Sequence, residues 1–501
     1  MRIILHIICN LILCLSIGHA QDFNIIDYGA IGDGKTNNTL SIQSAIDAAH
    51  AKGQGKVIVP DGQFLTGSIT LKSGVELHLN EGAVILGSTK HVDHKVVEKS
   101  YMRSIIMASY QENISITGKG TIDGQGREAA LHVDSLFHMG ALDSKRYNHV
   151  EGRPRFYMRS MLVVFVGCKN ILISGVTLKD AASWVQHYDR CTNLIIENIN
   201  VDSDAYWNND GIDISDSKNV IVRNCNINSA DDGICLKSHF EDHYIDNVLI
   251  TDCTVRSSAS AIKFGTKSLG GFKNVTIKNI KVYDTFRSAI AIESVDGGFL
   301  ENVLVDNITA INTGNAIFIK LGNREPEKGN STLKNVTLKN IKVEVAFERP
   351  DYAYDMRGPA LPFFHNTFPS SITGMPGHNV ENLILENIEI IYPGRGNRGL
   401  AYSPLYKLKD VPEAEDEYPE FSMYGELPAW GFYIRHVNGL KMNNITLSID
   451  EKDYRSAIVL DDVKNLESTN LTIEGDKKSA KIILHNTENI KMDKTESVRK
   501  M

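Results

Sequence analysis

One phrase recurs down most of this chain and limits what it can fold into. It is an asparagine, two or three alternating aliphatic residues, a polar residue, an asparagine or aspartate, and a second aliphatic pair. Copies start at Asn170 (NILISGVTL), Asn193 (NLIIENINV), Asn219 (NVIVRNCNI), Asn247 (NVLITDCTV), Asn274 (NVTIKNIKV), Asn302 (NVLVDNITA), Asn335 and Asn382, with others at Asn113, Asn465 and Asn489. Consecutive starts from 170 to 302 lie 23, 26, 28, 27 and 28 residues apart. A period in that range marks a solenoid, whose units bury their apolar sides only by stacking on one another. Each unit holds short Val- and Ile-rich runs separated by Asn, Asp and Gly turns, which read as strands. The expected fold class is therefore all-β, a parallel β-helix with one coil per unit. Asparagine tolerates left-handed backbone and can ladder its amide along the stack, which accounts for its recurrence. Many of these asparagines also match N-x-Ser/Thr, but the period identifies them as turn residues before glycan acceptors.

Residues 1–20 have the form of a cleaved export signal: Arg2, an apolar run from Ile3 to Ile17, and small residues at Gly18-His19-Ala20. The run is short for a membrane anchor, and no other stretch is apolar enough to span a bilayer. The expected location is periplasmic or extracellular. Residues 21–501 read as one domain, with a leader and cap at 21–90 in which Thr39 to His50 forms an amphipathic helix over the open end of the stack. The GDGKT phrase in the leader lacks the spacing of a phosphate loop. Three stretches break the period and read as long loops, at 124–161, 346–378 and 393–430; long loops on a rigid solenoid are usually binding walls. The net charge of −8 argues against a nucleic-acid partner. Cys9 and Cys14 leave with the signal. The remaining Cys168, Cys191, Cys225, Cys235 and Cys253 sit in matching phrases that suit buried, reduced side chains, and without a CxxC pair a zinc site is not expected.

Within the solenoid, Asp204 to Ser238 holds two near-copies of an acid-Gly-Ile phrase, NDGIDIS and DDGICLK. Aligned on Ile212 and Ile234, they bring Asp210 level with Asp232, with Asp231 one place before. Extending that register through Ile262, Ile290 and Ile317 gives outward columns Asp210–Asp232–Ser260–Ser288–Asn315, Asp213–Cys235–Lys263–Ala291–Phe318 and Ser215–Lys237–Gly265–Glu293–Lys320. Three carboxylates thus share a surface with Lys237, Lys263, Glu293 and Lys320. Like charges raise one another's pKa, and such clusters are kept mainly for acid–base chemistry or metal binding. The nearby lysines oppose a divalent ion, so no metal and no cofactor are expected. Glycosidic cleavage suits the trio: one carboxyl stays protonated for the leaving oxygen while another activates water.

GTIDGQG at Gly120, FVGCKNILISGVTLKDAASW at Phe165, NNDGID and DDGICLKS together closely resemble glycoside hydrolase family 28, the polygalacturonase and rhamnogalacturonase group. YGAIGDGKTNN, FLTGSITLKS and GAVILGS fit as well, so the likeness runs from about Phe23 to Lys320. It implies a right-handed parallel β-helix and inverting hydrolysis of a pectin-like polysaccharide or oligosaccharide. It also implies Asp231 as proton donor, Asp210 and Asp232 positioning and deprotonating water, and no metal. The family's Asn-x-Asp motif falls on Asn208-Asn209-Asp210. Two places depart from the pattern. SSASAIKFGT stands where a Gly-His-Gly-like phrase is usual, and Ala291-Ile292-Glu293 where an Arg-Ile-Lys grips the substrate carboxylate. Either Lys263 and Lys320 take over that grip, or the sugar bound there is neutral, such as rhamnose or galactose. The long C-terminal loops would close one end of the groove and favour cleavage from chain ends. Trp184 and His187, just before the acid coils, are the best-placed sugar contacts, followed by Arg357, His365, Trp430, Tyr433, Arg435 and His436 in or beside the loops. Two other readings stay open: a polysaccharide lyase using Lys237 or Lys263 as base, and a glycan-binding solenoid without turnover. Oligomeric state is not legible.

Overall fold

The computed structural model describes residues 21–351, 366–474, 481–493 and 497–501. The expected export signal lies outside the described residues, as do Arg357 and His365. Coil pairs with coil in parallel register along the chain, giving a β-helix. Ile212 pairs with Ile234, Ile234 with Ile262, Ile262 with Ile290 and Ile290 with Ile317, the register expected from sequence. All five isoleucines are buried. Alternation does the rest: in Lys218–Arg223, Val220 and Val222 point into the stack while their neighbours face out. Each fully buried aliphatic side chain contributes about 1.5–3 kcal/mol, so the coils are stable only together.

The recurring asparagines stand at the corners. Asn170, Asn193, Asn219 and Asn247 have φ of 55°, 58°, 58° and 57°. Each donates its side-chain amide to the Asn one coil back, at 2.9, 2.9, 3.0 and 2.8 Å. At a second corner Asn279 donates to Asp252, Asn307 to Asn279, Asn340 to Asp306, Asn387 to Asn340, Asn444 to Asn387 and Asn470 to Asn444. The helix Thr39–Ala51 buries Ile42, Ala45, Ile46 and Ala49 against the first coils and so covers their open edge. The five cysteines among the described residues are free and buried. No helix among the described residues is long and apolar enough to cross a membrane.

The insertions carry more order than their polar composition suggests. Within 124–161 lie a helix, Gly126–His138, and a short antiparallel hairpin pairing Tyr147–Asn148 with Arg153–Pro154. Ala129, Ala130 and Val133 are buried, and the two alanines pack on Ala182 and Tyr206, a stripe too narrow to stand out among charged neighbours. Within 393–430, Arg398–Tyr406 is helical, and residues from Leu408 to Leu427 contribute to a second apolar core built on the outer face of the solenoid. Trp430 and Tyr433, candidate sugar contacts for which packing is the commoner role, are packed here: Trp430 lies edge-on to Tyr392, and Trp430 and Tyr433 are both buried.

Candidate active site

The paired acid-Gly-Ile phrases place the aspartates through backbone contact. A Cβ on Gly211 would lie 2.6 Å from the Gly233 carbonyl oxygen, and one on Gly233 would lie 2.7 Å from that of Ala261. Glycine lets successive coils close up, so that Gly211 N–H donates to the Asp232 carbonyl and Gly233 N–H to that of Ser260, both at 2.8 Å. The preceding side chains, Asp210 and Asp232, therefore stack on one face with Asp231 beside them. The three offer carboxylate oxygens that all lie within 4.8 Å of one another. Asp210 and Asp232 are 4% and 5% exposed and Asp231 is half-buried, so the trio is recessed below the surface.

Cations neutralise the cluster from both sides. Lys237 Nζ lies 3.2 Å from Asp210 Oδ2, contacts Asp213 Oδ1, and sits 4.5 Å from the centre of the Trp184 ring. Lys263 Nζ lies 3.2 Å from Asp232 Oδ2 and donates to the Tyr418 hydroxyl at 3.1 Å. Arg287 faces Glu420 at 3.1 Å, an ion pair without a linear hydrogen bond. The Ser260 N–H donates to Asp232 Oδ1 at 3.1 Å, and the Asp232 N–H to Asp231 Oδ1 at 3.0 Å.

These surroundings separate the carboxyls. Burial and then the Asp232 charge push Asp231 up. Burial would also raise Asp232, but Lys263, Lys237 and Arg287 outweigh it and hold that carboxyl below the usual range. Burial and neighbouring Asp213 push Asp210 well up against the pull of Lys237. Burial also raises Asp213, to about 6. The surroundings thus push the adjacent Asp231 and Asp232 in opposite directions, a separation of the kind acid–base cleavage needs.

The other residues singled out from sequence fall at different depths. Asn208 touches the trio: its amide lies 3.4 Å from Asp231 Oδ2, and its Oδ1 accepts from Arg159 at 2.7 Å. His187 is buried with Nε2 2.9 Å from Ser215 Oγ, its ring edge-on to Trp184, and burial holds its pKa well down. Trp184 is buried and stacks on Phe156, presenting its ring to Lys237 rather than to solvent. Glu293 is buried beneath Gly265, its Oε2 without a hydrogen-bond partner among the described residues, and burial raises it to about 8. Lys320 does not join the trio. It is buried and donates to the Glu413 carbonyl at 2.8 Å, roofed by the C-terminal insertion. Arg435 and His436 are likewise engaged, with Glu413, Asp461 and Asp462.

The family model for glycosyl hydrolases family 28 matches residues 50–350. The chain belongs to glycosyl hydrolases family 28. It is 27% identical over 390 residues to a probable polygalacturonase of Vitis vinifera, covering 74% of this chain and 70% of that one. It is 29% identical over 248 residues to an exo-poly-alpha-D-galacturonosidase of Dickeya chrysanthemi, covering 42% of this chain and 41% of that one. Among solved structures, the family 28 exopolygalacturonase of Yersinia enterocolitica superposes with a TM-score of 0.65 at 19% identity, over 91% of this chain and 79% of that one, a likeness of fold. This protein is thus a glycoside hydrolase built on a right-handed parallel β-helix.

Sequence reasoning missed four residues of this family 28 site: Arg159, Arg287, Tyr418 and Glu420. For Arg287 a signal existed. The column one place before Asp232 runs Asp231, Ala259, Arg287, and the Arg287 N–H donates to the Ala259 carbonyl at 2.9 Å. Following that column would have placed a cation above Asp231. Tyr418 and Glu420 come from an aperiodic insertion and carry no such signal.

Proposed function

We propose that this family 28 hydrolase is an exported enzyme that trims pectin-class, galacturonate-containing chains from one end. In this reading Asp231 protonates the leaving oxygen, Asp232 activates water, and Asp210 positions that water with Lys237. The observation that carries it is the close trio of carboxylates with Lys263 3.2 Å from Asp232, surroundings that push Asp231 up and Asp232 down. The polygalacturonase and exo-galacturonosidase names of the relatives support a galacturonate polymer, and the form of residues 1–20 supports export.

Action from chain ends is supported by the apolar packing that flanks the aspartates on both sides along the stack. The column His187–Asp213–Cys235–Lys263 continues as Ala291 and Phe318, which are buried in an apolar core with Phe421 and Tyr424. On the other side, Val164 and Trp184 are buried with Val97 and Met102. Between these two apolar packings the column spans four coils, about 14 Å at the usual strand spacing, and its residues His187, Asp213, Cys235 and Lys263 are themselves buried.

A second reading of the bound sugar has its own observation. Both lysines expected to grip a carboxylate are committed, Lys263 to Asp232 and Tyr418, Lys320 to Glu413. A neutral sugar such as rhamnose or galactose in that subsite fits this pairing. Digestion of galacturonan oligomers beside rhamnose- and galactose-bearing pectic fragments, with chain-length analysis of the products, tests both. Steady release of one small product from galacturonan supports the first reading. Cleavage of only the neutral-sugar fragments supports the second, and random internal scission contradicts action from chain ends.

The resemblance implies inversion, so an α-linked substrate should first yield the β-anomer, read by proton NMR of fresh product. Because the carboxylate oxygens lie within 4.8 Å, closer than the about 6.5–9.5 Å usual between inverting carboxyls, the anomer is informative. An α-anomer would replace the role of Asp232 with nucleophilic attack.

A further inference from the structure

The aspartates lie in the stretch matched by the family model, residues 50–350. Two groups that contact the cations Lys263 and Arg287 come from beyond it. Tyr418 and Glu420 belong to the insertion that roofs the end of the site, and both reach back into it. The Tyr418 hydroxyl accepts from Lys263, whose other partner is Asp232. The Glu420 carboxylate pairs with Arg287, which is buried in the coil two steps past Asp231. The insertion is firmly seated: Phe421 and Tyr424 sit in the apolar core over Ala291 and Phe318, and the Asn323 N–H donates to the Glu415 carbonyl at 2.6 Å.

We propose that Glu420 and Tyr418 are positioning residues for the family 28 reaction, holding Arg287 and Lys263 in fixed balance against the Asp231–Asp232 pair. The inference rests on the acid and base roles given to that pair under Proposed function. Arg287 pulls the proton off both aspartates, and Glu420 is the nearest anion that offsets it. Without the Glu420 charge, Arg287 acts on Asp231 in full, and the donor gives up its proton at lower pH. Tyr418 acts on the other partner. Without its hydroxyl, the Lys263 ammonium turns wholly to Asp232, and the base stays ionised to lower pH. The two residues therefore weigh unequally on the two limbs of a bell-shaped profile, Glu420 on the alkaline limb and Tyr418 on the acidic one. Tyr418 is also 52% exposed at the mouth of the site, so its ring is open to a sugar face while its hydroxyl is engaged below.

The test uses the full-length protein with Glu420→Gln, Glu420→Asp and Tyr418→Phe. The pH profile of kcat/KM is measured on the pectic oligomer the wild type cleaves, and thermal unfolding is followed alongside. Glu420→Gln should lower the alkaline limb by about one pH unit and the acidic limb by less, while Glu420→Asp should restore it. Tyr418→Phe should lower the acidic limb more than the alkaline one. Unmoved limbs in well-folded variants, or equal loss at every pH, would overturn the proposal. A readout independent of turnover guards against a wrong substrate or poor folding. Protein labelled with 13C at the aspartate carboxyls is titrated by NMR, with Asp231→Asn identifying the resonance. The Asp231 signal should titrate lower in Glu420→Gln than in wild type, and an unchanged midpoint contradicts the inference even if no substrate is cleaved. An inactive wild type with the shifted midpoint would instead count against the proposed function alone.

Discussion

The Lys263 ammonium stands 3.2 Å from the Asp232 carboxylate, both buried, with Ala291 next in the same column. This contact helps push the two adjacent aspartates in opposite directions, Asp231 up and Asp232 down. Burial penalises both, but the largest cationic pull on Asp232 is that of Lys263. Replacing Lys263 with Met keeps the length and removes the charge. Asp232 should then titrate upward, and the acidic limb of kcat/KM should rise by about one pH unit or more. A profile unchanged from wild type would mean that Lys263 does not hold the base.

Asp231→Asn should lower kcat by about a thousandfold, the usual scale for removing a positioned general acid, with the unfolding temperature close to wild type. Binding of a substrate fragment, measured by calorimetry, should survive. Retained turnover would move the donor role elsewhere in the trio.

The adjacent asparagines before Asp210 should behave differently. Asn209 is buried, donates to the Ala181 and Ser183 carbonyls at 2.8 Å each, and accepts from the Tyr206 N–H and Ser203 hydroxyl at 3.1 Å each. Asn209→Ala strands those groups and should cost about 2–4 kcal/mol in denaturant unfolding. Asn208 instead bridges Arg159 to Asp231, so Asn208→Ala should act on kcat while leaving stability nearly unchanged. Equal stability loss in both variants would contradict this division.

That division also shows where sequence reading reaches its limit. Strand alternation and the isoleucine register were legible because a one-residue slip would turn every apolar side chain outward. The columns holding Asp213, Cys235 and Lys263 appear in the structure as expected. Depth was not legible. Lys320 shares an outward column with Glu293, yet an insertion nearly a hundred residues later covers it. Whether an outward residue meets substrate or roof depends on loops that have no period. The Asn208–Asn209 pair was ambiguous for a similar reason: one turn decides which amide faces in.

The insertion also makes stability depend on pH. His436 sits between Asp462 at 2.7 Å and Glu413 at 3.1 Å, beside Arg435, which binds Glu413 and Asp461. Burial and Arg435 oppose its charge, but hydrogen bonds to Glu413 and Asp462 prevail and raise its pKa. A raised folded-state value stabilises the protein fully below the unfolded value and less as pH rises through the folded one. The unfolding temperature should therefore decline as pH climbs past the ordinary histidine value of about 6.5, and His436→Gln should flatten that decline. A His436→Gln slope equal to wild type would separate this cluster from the effect.

The most direct measurement is a time course on a galacturonan oligomer labelled at its reducing end, read by product length and by ultraviolet absorbance, for wild type and Asp231→Asn. The account predicts a single small product accumulating from the first minutes, no unsaturated chromophore, and no release by the variant. A ladder of internal fragments, a chromophore, or release by Asp231→Asn at the wild-type rate would contradict it.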